Sequence, residues 1–314
     1  MSSPLISVVV PVYNRAHLIA RSVGSLIHQS YDNLEIILAD DCSTDDLQAA
    51  VRALDDPRVR IVRLERNGGA SAARNAGVAA ARGDFIAFHD SDDIAVGHKL
   101  EAQMRALQDL GPEYVGVYTA VLSFSDLEPE AYGGMQVRIV PPPGTRPLSG
   151  DMHARTVEGN IMNLPTMLLR KTAVIAAGGF DVRMGNNNDW DFTLRVTRQG
   201  LFHFIPEPLY LVPEQPTIDP SGKISRSARK SAKSFAFITG KLRRQNPHTP
   251  ALARHYATTA RFLLRLGRVR FARRYLAHAL RLQPAALRVW VLYALCLSPK
   301  LYKQLRRIKD GTPS

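Results

Sequence analysis

Ile6-Ser7-Val8-Val9-Val10-Pro11-Val12-Tyr13-Asn14-Arg15 decides the fold: an apolar stretch rich in β-branched residues breaks abruptly into a polar turn. The pattern recurs. Leu34–Ala39, Val59–Leu64 and Phe85–Phe88 are further strand-like runs, the first two interrupted by charged residues, with helix-periodic stretches at Ala16–His28, Leu47–Asp55 and Ser71–Ala81 between them. Short apolar strands alternating with helices predict a parallel sheet covered on both faces. Ligands of such open sheets collect beyond the carboxyl ends of the strands.

The unusual polar residues lie at those ends. Pro11–Arg15, Asp40-Asp41-Cys42-Ser43-Thr44-Asp45, Arg66-Asn67-Gly68-Gly69 and His89-Asp90-Ser91-Asp92-Asp93 each follow a predicted strand directly. Any single cluster is explained by caps and turns, which favour Asp, Asn, Ser and Gly. Four together, two of them acidic, point to a binding cleft.

Beyond Gly111 the alternation weakens. Residues 126–151, with Pro141-Pro142-Pro143-Gly144, read as a long surface loop. Met167–Leu169 reads as a strand, Lys171–Ala177 as a short helix and Trp190–Gln199 as another, preceded by Asn186-Asn187-Asn188-Asp189. The five prolines of Pro206–Pro220 predict a tether.

Charge divides the chain at that tether. The 314 residues carry a formal +13, yet residues 221–314 hold 22 Lys and Arg against a single acid, Asp310, a net +21. The first 220 residues are therefore net −8. Two domains are expected: an acidic α/β domain at 1–220 and a basic helical region at 221–314, with one tetratricopeptide-like hairpin at about 253–286. The basic region suits the anionic face of a membrane, helped by Trp290-Val291-Leu292-Tyr293 and its cationic flanks, or docking on the acidic domain; nucleic acid is disfavoured because no recognisable module is present. Cys42 and Cys296 are too few for a disulfide framework or a cysteine metal cage. Met1–Pro4 shows no secretory leader and no apolar run approaches a bilayer span, so a cytoplasmic protein, peripheral at the inner face of the plasma membrane, is expected.

Asp90 and Asp92 share a face of an extended turn, and two hard oxygen ligands facing one way suit Mg²⁺ or Mn²⁺ held jointly with a diphosphate. Asp93 is expected to cap the next helix. One of Asp40 and Asp41 can face a ligand, accepting from a uracil N–H or ribose hydroxyls. Arg66 and Arg74 offer cations to a pyrophosphate, with Gly68-Gly69 between them giving close backbone approach. This is not G-x-G-x-x-G, which removes the main support for a nicotinamide or flavin site.

The order of Ser7–Arg15, Asp40-Asp41-x-Ser-Thr-Asp45, Asn67-x-x-x-Ser71-x-x-Arg74-Asn75-x-Gly77, Asp90-Ser91-Asp92-Asp93 and Gly178-Gly179-Phe180-Asp181 resembles glycosyltransferase family 2 over about residues 5–212. The resemblance implies a GT-A fold, a nucleotide-sugar donor, a divalent metal at the D-x-D turn and inversion at the anomeric carbon. By position it assigns Pro11, Tyr13, Asn14, Asp40, Asp41, Arg66, Asn67, Arg74, Asp90 and Ser91 to the donor nucleotide, and Asp90 with Asp92 to the metal. Asp189 matches the catalytic base, with Asn188, Trp190 and Asp191 on the acceptor side; Trp190 alternatively packs beneath the site. The chain departs from the pattern in having Asn188 where Glu is usual, no Q-x-x-R-W, and Tyr210-Leu211-Val212-Pro213-Glu214 in place of an aromatic-Arg-x-His segment. Transfer of single sugars is therefore expected, and a third metal ligand is left unassigned, Glu214 being one candidate. The reading is an inverting transferase moving a sugar, from a UDP-sugar by family precedent, to a hydroxyl of a glycan or lipid-linked glycan. A sugar-nucleotide nucleotidyltransferase would carry a Gly-rich loop where Pro11–Arg15 stands; a non-catalytic nucleotide- or membrane-binding module would not need Asp90, Asp92 and Asp189 together.

Overall fold

The computed structural model describes residues 3–125, 137–142, 144–145, 148–214, 228–245, 247 and 249–297. The core of the loop expected at 126–151 lies largely outside them. The chain divides into two compact units, Met1–Arg183 with Asn188–Pro220, and Met184–Asn187 with Ser221–Ser314.

Four strands, β1 (Ile6–Val12), β2 (Leu34–Asp40), β3 (Val59–Arg63) and β4 (Phe85–Phe88), pair in parallel in the order β3-β2-β1-β4. Helices α1 (Ala16–Ile27), α2 (Leu47–Arg52) and α3 (Gly69–Ala80) connect them. Alternation along a strand explains the double cover. Val8, Val10 and Ile36 pack with Ile19, Val23 and Leu47 on one side, whereas Val9 and Ile37 pack with Val78 and Phe88 on the other.

The sheet then turns mixed. After β5 (Ile94–Ala95) and α4 (Lys99–Gln108) come β6 (Tyr114–Ser125), β7 (Val137–Val140), α5 (His153–Glu158), β8 (Met167–Arg170), α6 (Lys171–Ala176), α7 (Asn188–Val196) and β9 (Leu201–Glu214). The sheet continues β4-β8-β6-β9-β5, with β8 antiparallel to both its neighbours and β6 parallel to β9.

The proline tether begins later than the sequence suggests. Pro206, Pro208 and Pro213 belong to β9, whose register against β6 shifts around Thr119 to Val121, opposite Ile205 to Tyr210. Bulges are where a strand accommodates a residue without an N–H. Residues 215–220 lie outside the described part.

The second unit contains α8 (Ala228–Gln245), α9 (Pro250–Arg265), α10 (Val269–Leu282) and α11 (Leu287–Leu297). Gly267, at φ +71°, makes the turn between α9 and α10, a backbone conformation that favours glycine. Ala260, Leu264, Ala272, Leu276 and Cys296 form its core. No helix among the described residues is long and apolar enough to cross a membrane.

Candidate functional site

Parallel pairing sets Val12 beside Asp40 and Asp40 beside Arg63, so the loops after β1, β2 and β3 emerge along one edge. They are stitched together. The Asn14 N–H donates to Ser43 Oγ at 3.0 Å, Thr44 N–H donates to Asn14 Oδ1 at 2.7 Å, and Ala16 N–H donates to Asp45 Oδ2 at 2.7 Å. Pro11 sits within β1, opposite Ala39, and Tyr13 is half-exposed beyond it.

Asp40 and Asp41 are both buried and diverge. Asp40 Oδ1 accepts from Ser43 N–H at 2.8 Å and its Oδ2 pairs with Arg63 at 2.6 Å. Asp40 and Arg63 also line a cavity of about 490 Å³ with Ser43, Thr44 and Asp46. Of the residues assigned to the donor, only Asp40 lines it.

Asp41 turns to α3, accepting from Gly68 N–H at 2.7 Å and Gly69 N–H at 2.8 Å. This corrects the expectation that Gly68-Gly69 offers its backbone to a pyrophosphate: those donors already serve a protein carboxylate, as at a capped helix start. Asn67 Nδ2 donates to the Asp41 carbonyl at 3.2 Å, and Arg66 is exposed.

Arg74, one turn into α3, joins the most distant parts. Its Nη2 pairs with Asp90 Oδ1 at 2.8 Å and its Nη1 donates to Asn188 Oδ1 at 3.3 Å, while the guanidinium lies 5.5 Å from the Phe180 ring centre. The D-x-D turn and the first turn of α7 therefore meet at one buried cation. Asp189, next to Asn188, accepts from Asn160 Nδ2 at 3.1 Å through Oδ2.

The D-x-D turn has two open carboxylates, with side-chain exposure of 36% for Asp90 and 46% for Asp92; Ser91 between them is buried. Arg15 approaches Asp92 at 3.9 Å, and Arg21 donates to its carbonyl at 3.1 Å.

Two residues assigned to the acceptor side are enclosed, Trp190 in the packing place that was its other expectation. Trp190 is buried, and its Nε1–H donates to the Thr156 carbonyl at 2.9 Å, so it packs beneath the site. Asp191 is 1% exposed and pairs with Arg195 at 2.9 Å inside the same helix. One turn of a helix cannot aim Asp189, Trp190 and Asp191 the same way, because successive side chains lie about 100° apart.

Similarity to known proteins bears on the same residues. The glycosyl transferase family 2 profile matches residues 7–132, and EpsE of Bacillus subtilis (strain 168), a putative glycosyltransferase, is 30% identical over 219 residues, 68% of this chain and 74% of its own. The chain belongs to glycosyltransferase family 2.

Other members of glycosyltransferase family 2 match over shorter stretches. WfgD of Escherichia coli, a UDP-Glc:alpha-D-GlcNAc-diphosphoundecaprenol beta-1,3-glucosyltransferase, is 40% identical over 104 residues, 33% of this chain and 41% of WfgD. The chain thus matches about two fifths of that relative's length. Among solved structures, S. aureus TarS 1-349 in complex with UDP-GlcNAc superposes with a TM-score of 0.61 at 17% identity, covering 95% of this chain and 91% of TarS 1-349. The mannosyltransferase PcManGT from Pyrobaculum calidifontis, in complex with GDP-Man and Mn²⁺, gives 0.57 at 20% identity, covering 97% and 84%. At such identities the likeness establishes the GT-A fold.

The donor set of this family 2 chain fits a cation shared with a diphosphate rather than one caged by protein. Asp90 and Asp92 supply hard, open oxygens, and no group of three or more His, Cys, Asp or Glu positioned for a metal occurs among the described residues. Glu214 ends β9; its side chain lies outside the described part.

Sequence reasoning missed what lies behind the turn. Tyr210 Oη accepts from Asp90 N–H at 3.1 Å and shares a hydrogen bond with the Asp93 carboxyl. Asp93, expected as a helix cap, is instead buried; burial first, then the charges of Asp90 and Asp92, push its pKa up to about 8. Burial lowers Lys99, whose Nζ lies 5.8 Å from the Tyr210 ring centre, to about 7. Burial and then Lys99 lower His89 to about 3, leaving a neutral ring against Ser22 Oγ at 3.0 Å. The available signal was Lys99 itself, a lysine where its helix needed an apolar residue. Asn160 left no signal.

Proposed function

We propose that this protein is an inverting, divalent-metal-dependent glycosyltransferase that moves one sugar from a nucleotide-sugar, a UDP-sugar foremost, onto a hydroxyl of a glycan or lipid-linked glycan. The observation that carries the reading is the Arg74 bridge, which brings the D-x-D turn and the Asp189 turn to a common centre. WfgD, whose named acceptor is a diphosphoundecaprenol-linked sugar, supports the acceptor class, and the UDP-GlcNAc complex of TarS supports the donor class.

The chemistry follows from the chain's own groups. The acceptor oxygen bonds to the sugar's C1 as the bond from C1 to the donor's diphosphate oxygen breaks, and that electron pair leaves with the nucleoside diphosphate. Asp189 takes the acceptor proton, with Asn160 fixing one carboxylate oxygen so that the other faces the hydroxyl. Attack opposite the leaving group inverts C1 without a covalent enzyme intermediate. Asp90 and Asp92 would hold Mg²⁺ or Mn²⁺, which when bound offsets charge on the departing diphosphate. Asp40, Asn14 and the loop after β1 are the donor-nucleotide side of this reading.

The net +21 of residues 221–314 supports contact with an anionic membrane surface at the inner face of the plasma membrane. Thermal-shift screening of nucleotide sugars with and without Mn²⁺ tests the catalytic reading. Stabilisation by a nucleoside diphosphate sugar that requires the metal is expected; indifference to every donor would overturn it.

A further inference from the structure

The second unit has a cavity of about 290 Å³ between α8, α9 and α10, near the lower end of the range of about 300–1,000 Å³ for small-molecule sites. Its wall is aromatic and cationic. Tyr256 and His278 stack at 5.1 Å, Tyr275 meets Tyr256 edge-on at 5.8 Å, and Phe271 stands 54% exposed at the edge. Arg243 and Arg274 complete it, and neither forms an ion pair among the described residues. The segment 228–297 contains no Asp or Glu at all, so the described helices of this unit supply its arginines with no carboxylate.

Gly240 is the second, independent observation. It occupies the middle of α8, where glycine costs about 1 kcal/mol relative to alanine. A Cβ at Gly240 would meet no heavy atom within 4 Å, so helix packing does not call for glycine there. The missing side chain keeps the cavity floor clear.

We propose that this cavity binds a phosphate-bearing polyol, a glycerol phosphate or hexose phosphate unit, with Arg243 and Arg274 on the phosphate and the aromatic rings against the carbon face. Guanidinium groups suit phosphate oxygens through paired N–H donors, and a cavity of about 290 Å³ has room for one such unit. The field is already positive: after burial, Arg281 and Arg243 hold His278 below its ordinary pKa. The site is independent of the nucleotide-sugar reading, and involves none of its residues.

The test uses the full chain, titrated with inorganic phosphate, glycerol 3-phosphate and glucose 1-phosphate by calorimetry, and sedimented with phosphatidylglycerol or phosphatidylcholine vesicles. Three variants are compared with wild type: Arg243→Gln with Arg274→Gln, Gly240→Leu, and a charge-matched control of Arg261→Gln with Arg268→Gln. Saturable binding is expected, weakened about tenfold or more by the first two variants and unchanged by the control. Gly240→Leu should raise Tm while blocking binding, which separates a filled cavity from an unfolded one. Binding of the soluble phosphates assigns the ligand to a free or polymer-borne phosphate; binding of phosphatidylglycerol vesicles alone, with the same variant pattern, assigns it to a lipid headgroup. No saturable binding of any probe, full binding by Gly240→Leu, or an equal loss in the control would overturn the proposal.

Discussion

Arg74 and Asp90 form an unequal pair: at 2.8 Å the guanidinium is buried, with 9% side-chain exposure, while the carboxylate keeps 36%. The cation is fixed by its surroundings, and the anion remains available to a ligand. Because the same guanidinium holds Asn188, its loss should disturb both halves of the site. Arg74→Lys, which keeps charge but loses the fork, is expected to lower kcat/KM about 100-fold, the scale of a misplacement near 1 Å. Steady-state kinetics at saturating Mn²⁺ check this; wild-type turnover in Arg74→Lys would rule out the bridge as an organising element.

Asp189 and Asp92 should separate by step. Asp189→Asn is expected to reduce turnover by roughly 10²–10⁴ with nucleotide affinity intact, since only proton transfer is lost. Asp92→Asn should cost about 100-fold and also weaken metal-dependent donor binding. Calorimetry with UDP and Mn²⁺ alongside single-turnover rates distinguishes the two, and loss of nucleotide affinity in Asp189→Asn would mean its role is misassigned.

The Tyr210 hydroxyl spans the D-x-D turn from the Asp90 N–H to the Asp93 carboxyl. Tyr210→Phe removes one oxygen and leaves the part-buried Asp90 N–H and the buried Asp93 carboxyl without that partner, at about 1–3 kcal/mol. A looser turn should raise the Mn²⁺ concentration needed for half-maximal nucleotide binding. Unchanged metal affinity in a folded Tyr210→Phe variant would confine the hydroxyl to a structural part.

Much of this was written in the chain in advance. Strands β1, β2 and β4 are legible because short, mainly apolar runs buried on both faces have few other stable settings. The acidic clusters at their ends were legible for the same reason, since polar groups directly after buried strands must emerge somewhere. What stayed hidden depends on contacts between residues far apart: Asp41 meeting Gly68 and Gly69, Tyr210 meeting a turn 120 positions earlier, Asp191 paired inward with Arg195. The prolines of β9 misled because a local rule about proline carries no information on where a bulge will fall.

Lys99 gives a pH signature. Its ordinary value of 10.5 falls to about 7 in the fold, so between these limits the unfolded chain holds a proton that the folded chain has released. Stability on this account rises as pH climbs from about 7 towards 10.5, and the full penalty is present below 7. Asp93 acts oppositely below about 8, because the folded state keeps its proton longer. Comparing urea unfolding of wild type and Lys99→Met from pH 7 to 9.5 cancels the Asp93 contribution; wild type should gain stability relative to the variant as pH increases, and parallel curves would refute the buried-lysine account.

Gly77 brings α3 onto β1. A Cβ there would lie 2.4 Å from Val9 Cγ1, and Val9 is fully buried. Alanine offers about 1 kcal/mol of helix propensity, against an overpacking cost of about 1–3 kcal/mol. The clash should win, so Gly77→Ala lowers Tm. The double variant with Val9→Ala should be less destabilised than the sum of the two single changes; strict additivity would place the cost elsewhere.

The double grip of Asp41 on Gly68 and Gly69 reaches beyond the loop it closes. A helix beginning that has already been neutralised from within offers a nucleotide no ready-made cradle of amides, unlike folds that seat pyrophosphate on such an end. On the proposed reading, recognition would run instead through side chains such as Arg74 and a diffusible ion, both of which can be exchanged. On the metal-assisted reading proposed above, substrate capture would follow the metal supply of the protein's surroundings.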